Sequence, residues 1–220
     1  RKAEQKRVWA GMAKETAHQL GTPLSSLMGW QAHLEELKID PMITAEMKKD
    51  LQRLERITDR FSKIGSEAKL EENNIVDTIE ENLVYLKARL SKKVEINFNA
   101  DIDPKIKVPH NQSLMDWVIE NLCKNSVDAM SGVGRLSLLV SEDKAHVHID
   151  ITDTGKGILS NDQKAIFEPG YSTKKRGWGL GLALVKRIIC EHHKGKVFVL
   201  KSKMGVGTTI RISLPHETLS

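Results

Sequence analysis

The chain has 220 residues, of which 40% are hydrophobic and 29% are charged, so it can bury the core of one large domain or of two small ones. It contains no run of about 18 apolar residues, so we expect neither a membrane span nor any other membrane contact from it. The net charge is +5, but the basic residues are spread out and form no stripe with interleaved aromatics, so nucleic-acid binding is not indicated.

The beginning of the chain and its cysteines bear on its location in the cell. The sequence starts RKAEQKRVWAGM, without an initiator Met or an apolar signal segment. We interpret it as part of a longer protein whose sensor or membrane anchor would lie upstream. Cys123 and Cys190 are the only cysteines, and their spacing predicts neither a disulfide framework nor a metal site. This usage fits a cytoplasmic compartment.

The first predicted element is a long helix over residues 1–37, with Pro23 as its one proline. At about 100° per residue, one face carries an apolar stripe, made of Ala13, Thr16, Leu20, Leu24, Leu27 and Leu34. His18 lies roughly 160° from Leu20 on the same helical projection, next to Glu15 and Thr22. This position predicts that His18 faces away from the core, where another domain can reach it.

A second helix follows a break at residues 38–43, where Asp40-Pro41 is the turn signal. Thr44 is the predicted N-cap of this helix. Its apolar stripe consists of Met47, Leu51, Leu54 and Phe61, with Ile57 and Ile64 to one side. Two amphipathic helices cannot enclose their own stripes, so we predict that residues 1–66 form a helical hairpin that dimerises into a four-helix bundle. The alternative is that the stripes pack on the remainder of the chain.

Residues 67–73 are predicted to be a linker, and residues 74–220 a second domain with mixed periodicity. Helices are predicted at Ile75–Leu90, Gln112–Met130 and Gly179–His193. Strands are predicted at 94–98, 105–109, 136–140, 146–152, 196–200 and 208–214, with a hairpin turn at Gly205–Gly207. Three helices and mixed strands indicate an α+β sandwich, in which a sheet carries helices on one face.

Two glycine groups and one helix carry the candidate chemistry. Asp153–Gly157 (DTGKG) directly follows a strand, and Gly177–Leu182 (GWGLGL) directly precedes a helix. Glycines permit close approach of the backbone to a ligand, and a glycine cluster that opens a helix offers N–H groups to an anion. On the helix that precedes both groups, Asn121, Asn125 and Asp128 share one face, and their oxygens are of the kind that Mg²⁺ prefers.

A fourth segment, Phe167–Arg176 (FEPGYSTKKR), is short, punctuated by turn residues and basic at its end, as a mobile lid over a triphosphate would be. Each of these segments also has a plain structural interpretation, as a tight loop, a close packing site or a surface loop. The sequence contains no P-loop, so a nucleotide would have to bind in another kind of site.

Taken together, these motifs resemble the sensor histidine kinases of two-component systems over nearly the whole chain. HQLGTPL at 18–24 resembles the family's H-box, 121–129 its N-box, 153–157 its first glycine box, 167–174 its F-box and 177–182 its second glycine box. The resemblance implies a dimerisation and histidine-phosphotransfer hairpin, followed by a Bergerat-type ATP-binding sandwich like those of gyrase-like and MutL-like ATPases.

The resemblance also implies roles for individual residues. His18 should accept the γ-phosphoryl group of ATP and pass it to an aspartate of a response regulator. Asp153 should recognise the adenine amino group, and Asn121 and Asn125 should hold Mg²⁺. The remaining residues implied to bind ATP are Lys124, Asp128, Gly155, Gly157, Ile158, Phe167, Thr173, Lys174, Gly177, Gly179, Leu180 and Gly181.

The residue after the histidine departs from the family pattern, which commonly has an acidic residue there. Gln19 can accept a hydrogen bond from the imidazole but cannot act as a base near neutral pH. We therefore expect slower autophosphorylation, or a base supplied by Glu120 or Glu15. Thr22, one turn after His18, is implied to position a water for dephosphorylation of the partner.

Three other interpretations stay open. The chain could be a Bergerat-type ATPase that uses ATP for a conformational cycle, which would leave the H-box unexplained. It could be a dimeric scaffold or phosphatase that binds nucleotide only as an allosteric ligand, which Gln19 favours and the intact Asn and Gly boxes do not. Metal binding by His192 and His193 is disfavoured because adjacent helical residues diverge by about 100°.

Overall fold

The structure is a computed structural model that describes residues 2–65, 68–172 and 179–216. Within these ranges, side chains are described from residue 19 onward, apart from residues 53, 56, 57 and 59–65. The chain divides into two compact units, Arg1–Ala68 and Lys69–Ser220. No helix in the described part of the chain combines the length and hydropathy that a membrane span requires.

The first unit is a hairpin of two helices, α1 (Lys2–Glu36) and α2 (Pro41–Gly65). The break between them is shorter than expected, because α2 begins at Pro41. The predicted cap at Thr44 is therefore wrong. The Asp40 carboxylate accepts a hydrogen bond from the Met42 N–H at 2.9 Å, and Pro41 occupies the first helical position, where its missing N–H costs nothing.

The hairpin buries one set of positions and leaves another set partly exposed. Leu24, Gln31, Thr44 and Leu51 are each at most 8% exposed. Leu20, Leu27, Met47 and Leu54 keep between 37% and 50% of their surface accessible. Within each helix, successive members of either set are seven residues apart, which is the heptad pattern of helices that pack in a bundle.

The second unit is an α+β sandwich, as the sequence predicted. Its helices are α3 (Ile75–Lys87), α4 (Gln112–Ala129) and α5 (Gly181–Arg187). Its strands are β1 (Glu71–Asn74), β2 (Val94–Asp101), β3 (Lys107–His110), β4 (Gly134–Glu142), β5 (His146–Asp153), β6 (Lys196–Lys203) and β7 (Gly207–Pro215).

The main sheet has the strand order β2-β4-β5-β7-β6, with β2 parallel to β4 and the other neighbours antiparallel. Side chains along its central strands point alternately to a covered and to an open face, as expected for a sheet covered on one face. The covered face carries Leu136, Leu138, Val140, Val147, Ile149, Ile151, Ile210, Ile212 and Leu214, all buried. The opposite face carries polar pairs such as Asp150 with Arg211, joined by two hydrogen bonds of 2.7 Å each.

Two predicted boundaries need correction. Glu71–Asn74, mostly assigned to the linker, is a strand that pairs with β3 in a separate two-stranded sheet. That pairing joins segments distant in sequence, and local patterns carry no sign of it. The predicted helix Gly179–His193 is α-helical only over Gly181–Arg187 and continues as a π-helical turn at Ile188–His192.

Candidate functional site

Helix α4 is the element around which the candidate site is arranged. Asn111 caps it by accepting a hydrogen bond from the Leu114 N–H at 3.1 Å. Burial raises the pKa of the Cys123 thiol, on the inner side of the helix, to about 12. The other core-facing residues of this stretch are Leu122, Ser126 and Val127. The predicted ligand residues lie on the outer side, where Asn121 and Asn125 are half-buried and Lys124 and Asp128 are exposed.

Asn121 is oriented by the backbone of its own helix. Its Nδ2 donates to the Trp117 carbonyl at 3.0 Å, and its Oδ1 faces the start of α5. A Cβ added to Gly181 would lie 3.2 Å from that Oδ1. The structure therefore brings Asn121 of α4 against the start of α5.

Lys124 forms an ion pair with a carboxylate of its own helix. Its Nζ lies 2.5 Å from Oε1 of Glu120, and the Glu120 residue is only 7% exposed. Both residues were candidates for other tasks, Lys124 as a phosphate ligand and Glu120 as a base. In this structure they neutralise each other one helical turn apart, because a carboxylate this deeply buried needs a cation or hydrogen bonds.

Asp153 ends β5 and is 7% exposed. Its Oδ1 accepts a hydrogen bond from the Gly155 N–H at 2.8 Å. Burial raises the pKa of this carboxyl, and hydrogen bonds from the Gly155 N–H, the Ser126 side chain and the Thr208 N–H oppose that shift. A buried carboxyl held in one orientation is suited to recognise a single hydrogen-bond donor on a ligand.

The first glycine group is held between α4 and the β6–β7 turn. A Cβ on Gly155 would lie 2.7 Å from the Ala129 backbone, and the Lys156 N–H donates to the Ala129 carbonyl at 3.0 Å. Gly157 has a φ of +78°, and a Cβ there would lie 2.4 Å from the Lys203 carbonyl oxygen. Glycine is required at both positions because backbone occupies the space of a side chain.

The second glycine group is described in part. Gly179 has a φ of +65°, and its carbonyl accepts from the Gly170 N–H at 3.1 Å, so the segment that begins at Phe167 lies against the residues that precede α5. Leu180, half-buried, accepts from the Leu184 N–H at 2.9 Å. Predicted ligands outside the described residues are Thr173, Lys174 and Gly177.

Two further predicted residues lie nearby in the fold. Phe167 is 4% exposed within a short 3-10 turn at Ala165–Phe167, so it supports the fold from inside the core. Ile158 is half-buried, and its N–H donates to the Ser202 hydroxyl at 2.8 Å. Ser126, Thr208 and Ser202 were missed by sequence reasoning, because their partners lie far away along the chain.

The candidate phosphate acceptor is located on the other unit. His18 lies within α1, and its side chain is outside the described residues. Gln19 and Thr22, next to it and one turn on, are exposed. The metal interpretation of the His192-His193 pair finds no support, because both ring nitrogens of His193 are engaged in hydrogen bonds. No cluster of three or more metal-ligating side chains occurs among the described residues.

Comparison with known proteins agrees with this geometry. Residues 110–218 match the family described as "Histidine kinase-, DNA gyrase B-, and HSP90-like ATPase", so the second unit is an ATP-binding domain of that class. The chain is 31% identical to sensor histidine kinase ZraS of Escherichia coli (strain K12), over 93% of this chain and 45% of that protein. It is also 31% identical to sporulation kinase E of Bacillus subtilis (strain 168), over 98% of this chain and 30% of that protein.

These matches show that the chain belongs to the sensor histidine kinases. It spans less than half the length of these two relatives. Among solved structures, the catalytic domain of histidine kinase ThkA superimposes with a TM-score of 0.61 at 23% identity, over 67% of this chain and 96% of that chain. ThkA in complex with response regulator TrrA gives a TM-score of 0.64 at 20% identity, over 99% of this chain and 64% of that chain, a likeness of fold.

Proposed function

We propose that this chain is the kinase core of a two-component sensor, which autophosphorylates His18 with ATP and passes the phosphoryl group to an aspartate of a response regulator. The observation that carries the proposal is the position of α4. Its middle faces Gly181 through Asn121, and its end contacts the Asp153–Gly157 loop at Ala129. One helix thus joins the proposed phosphate and adenine ends of a nucleotide site.

Asp153 is the proposed adenine ligand. Its hydrogen bond to the Gly155 N–H holds the carboxyl in one orientation, and its burial strengthens any further hydrogen bond that it accepts. The exocyclic amino group of adenine is a donor, whereas the corresponding group of guanine is a carbonyl. A carboxylate at this position therefore favours ATP over GTP.

The amide oxygens of Asn121 and Asn125 are the proposed ligands of Mg²⁺, together with phosphate oxygens and water. The donor set fits, because Mg²⁺ takes oxygen ligands and usually keeps several waters. The ion, when bound, offsets the charge of the transferred phosphoryl group. Asn121 is oriented for this task by its hydrogen bond to the Trp117 carbonyl, and its Oδ1 faces Gly181 at the start of α5.

His18 is the proposed nucleophile. An imidazole with an ordinary pKa is largely uncharged at neutral pH, so a ring nitrogen carries a free electron pair. That nitrogen forms a bond to the γ-phosphorus, the bond from phosphorus to the bridging oxygen breaks, ADP leaves with the electron pair, and the ring loses its N–H proton. Because Gln19 cannot take this proton and Glu120 is paired with Lys124, Glu15 is the remaining base of the two that the sequence suggested.

Incubation with γ-labelled ATP tests the proposal. We expect an alkali-stable, acid-labile phosphoprotein that disappears in His18→Ala. The matched control is His33→Ala, since His33 lies in the same helix with 54% of its side chain exposed, and it should label normally. Labelling that persists in His18→Ala would overturn the assignment. Steady ATP hydrolysis without any phosphoprotein would instead favour an ATPase with a conformational cycle.

We propose that residues 1–66 form a four-helix bundle with a second copy of the chain. Support comes from Leu20, Leu27, Met47 and Leu54, which stay 37–50% exposed at heptad spacing in a single chain. Mixing His18→Ala with Asn125→Ala subunits would then show whether phosphorylation occurs across the dimer. A labelled heterodimer would mean transfer between subunits.

We propose further that a response regulator docks near His18 and that Thr22 supports its dephosphorylation. The ThkA–TrrA structure contains a histidine kinase bound to a response regulator, and Thr22 is exposed one turn after His18. We expect Thr22→Ala to lower phosphatase activity more than kinase activity, and equal loss of both would contradict the role. Gln19→Glu should accelerate autophosphorylation, and an unchanged rate and pH profile would mean that Gln19 does not limit the chemistry.

A further inference from the structure

His193 has no part in the proposed phosphoryl transfer, but it connects two helical segments of the second unit. It is 1% exposed and directly follows the π-helical turn at Ile188–His192, which continues α5; α5 and this turn together are called the α5 segment. Its Nδ1 donates to the Ile188 carbonyl at 2.9 Å. Its Nε2 accepts from the backbone N–H of Asn111, the N-cap of α4, at 3.1 Å. One imidazole therefore joins the end of the α5 segment to the start of α4.

The two elements that this ring joins are those that carry the proposed phosphate site. Asn121 on α4 and Gly181 at the start of α5 approach so closely that a Cβ on Gly181 would be 3.2 Å from the Asn121 amide oxygen. A shift of α4 against α5 would change this spacing, and the geometry of a phosphate and metal site tolerates little displacement.

The same junction receives the segment that begins the second unit. The Asn111 side chain accepts from the Leu114 N–H and donates from Nδ2 to the Lys69 carbonyl at 3.1 Å. The Asn73 amide of β1 donates to the His110 carbonyl at 3.2 Å. The first residues of the second unit are thus hydrogen-bonded to the start of α4.

We propose that His193 is a positioning residue of the nucleotide site, which holds α4 and α5 at the separation that binding of Mg²⁺-nucleotide requires. The ring suits this task because burial lowers the pKa of His193 to about 4. It stays uncharged near neutral pH, with Nε2 as an acceptor and Nδ1 as a donor. This inference rests on the proposed ATP site, and it assigns a function to a residue that contacts no ligand.

Two conservative substitutions separate the two hydrogen bonds. In His193→Gln, the longer amide side chain can still offer an acceptor to the Asn111 N–H. In His193→Asn, the shorter side chain keeps a donor for the Ile188 carbonyl but does not reach Asn111. The matched control is Ile189→Val, which removes one methylene from the core next to the same turn and leaves both hydrogen bonds intact.

The measurements are the Kd for Mg²⁺-ADP by titration calorimetry, the KM for ATP and kcat of autophosphorylation, and the midpoint of urea unfolding. We expect His193→Asn to raise the Kd and KM about fivefold to tenfold, the equivalent of one net hydrogen bond. We expect His193→Gln and Ile189→Val to stay within about twofold of the unsubstituted chain, with kcat little changed in all three.

Two results would overturn the inference. One is equal nucleotide affinity in His193→Asn and Ile189→Val at matched unfolding midpoints. The other is equal weakening in His193→Asn and His193→Gln, because that would mean that the contact with Asn111 does not matter. If the unsubstituted chain bound no Mg²⁺-ADP, the proposed function itself would fail, which is a different outcome. Amide hydrogen exchange at residues 111–115 gives a second readout that does not depend on nucleotide, and protection there should fall in His193→Asn only.

Discussion

The helical hairpin and the α+β unit use their apolar side chains differently. In the α+β unit, the core-facing side chains of the helices and of one sheet face are covered within one chain, and Ile79 and Ile149 are fully buried. In the hairpin, Leu20, Leu27 and Leu54 stay about half exposed at 47–50%. The second unit therefore has a core of its own, whereas the first leaves an apolar surface exposed, which the proposed four-helix bundle would cover.

The largest expected effect concerns this uncovered surface of the hairpin. We expect the double substitution Leu27→Asp and Leu54→Asp to raise the dimer dissociation constant at least about a hundredfold. The proposed dimer would bury both leucines of each chain, and this burial is worth several kcal/mol. The control is Val84→Asp in α3, which is 74% exposed on the second unit and should leave association unchanged. Sedimentation equilibrium measures both, and a dimer that survives the double substitution would contradict the proposed bundle.

Replacing a glycine by alanine should change stability in opposite directions in the two units. Gly155→Ala should destabilise the chain by about 3 kcal/mol and weaken nucleotide binding, since its Cβ would lie 2.7 Å from the Ala129 backbone. Gly29→Ala in α1, with nothing within 4 Å of the added Cβ, should stabilise by up to about 1 kcal/mol. Urea unfolding measures both, and effects of the same sign would contradict the structure.

Acid should destabilise the second unit through its buried histidines. Burial lowers the pKa of His193 to about 4 and also lowers that of His110, and Glu72 and His192 are the charged or titratable groups that act on them. Because the unfolded chain binds a proton near pH 6.5 and the folded chain only near pH 4, the contribution of His193 is complete above about pH 6.5. It should fall by about 3 kcal/mol between those two values.

Urea unfolding of the whole chain at about pH 7 and about pH 5, followed by a probe in the second unit, should show about 2 kcal/mol of this loss. His193→Gln should flatten the pH dependence, since glutamine does not titrate. An equally steep loss in His193→Gln would mean that other groups cause the acid sensitivity.

The smallest expected difference in stability between the two units concerns their ion pairs. Asp150 is 8% exposed and bound to Arg211 by two hydrogen bonds of 2.7 Å, so Asp150→Asn should cost about 2 kcal/mol by leaving a largely covered cation without its partner. Glu46→Gln removes a pair with Lys49 in which both side chains are at least 65% exposed, and it should change stability by less than about 0.5 kcal/mol. Thermal unfolding of the two variants compares them, and similar shifts would contradict the difference in burial.

Local patterns along the chain were sufficient to predict most of the helices and strands and to single out the motifs of the proposed site. Hydrophobic periodicity indicated two helices in the hairpin and the alternation of the sheet, because side-chain direction repeats with a fixed period in each type of element. The spacing of Asn121 and Asn125 and the glycines of the loop at 153–157 could also be recognised from the sequence, since they depend on local backbone geometry.

Which distant groups meet depended instead on the packing of the whole fold. The pairing of Glu71–Asn74 with β3 and the hydrogen bond from Ser126 to Asp153 have no counterpart in the sequence pattern. The contact between His193 and the Asn111 N–H joins residues 82 positions apart. No local signal marks such a contact, because it is selected by the free energy of the whole fold, in which a buried polar group must find a partner wherever the chain places one.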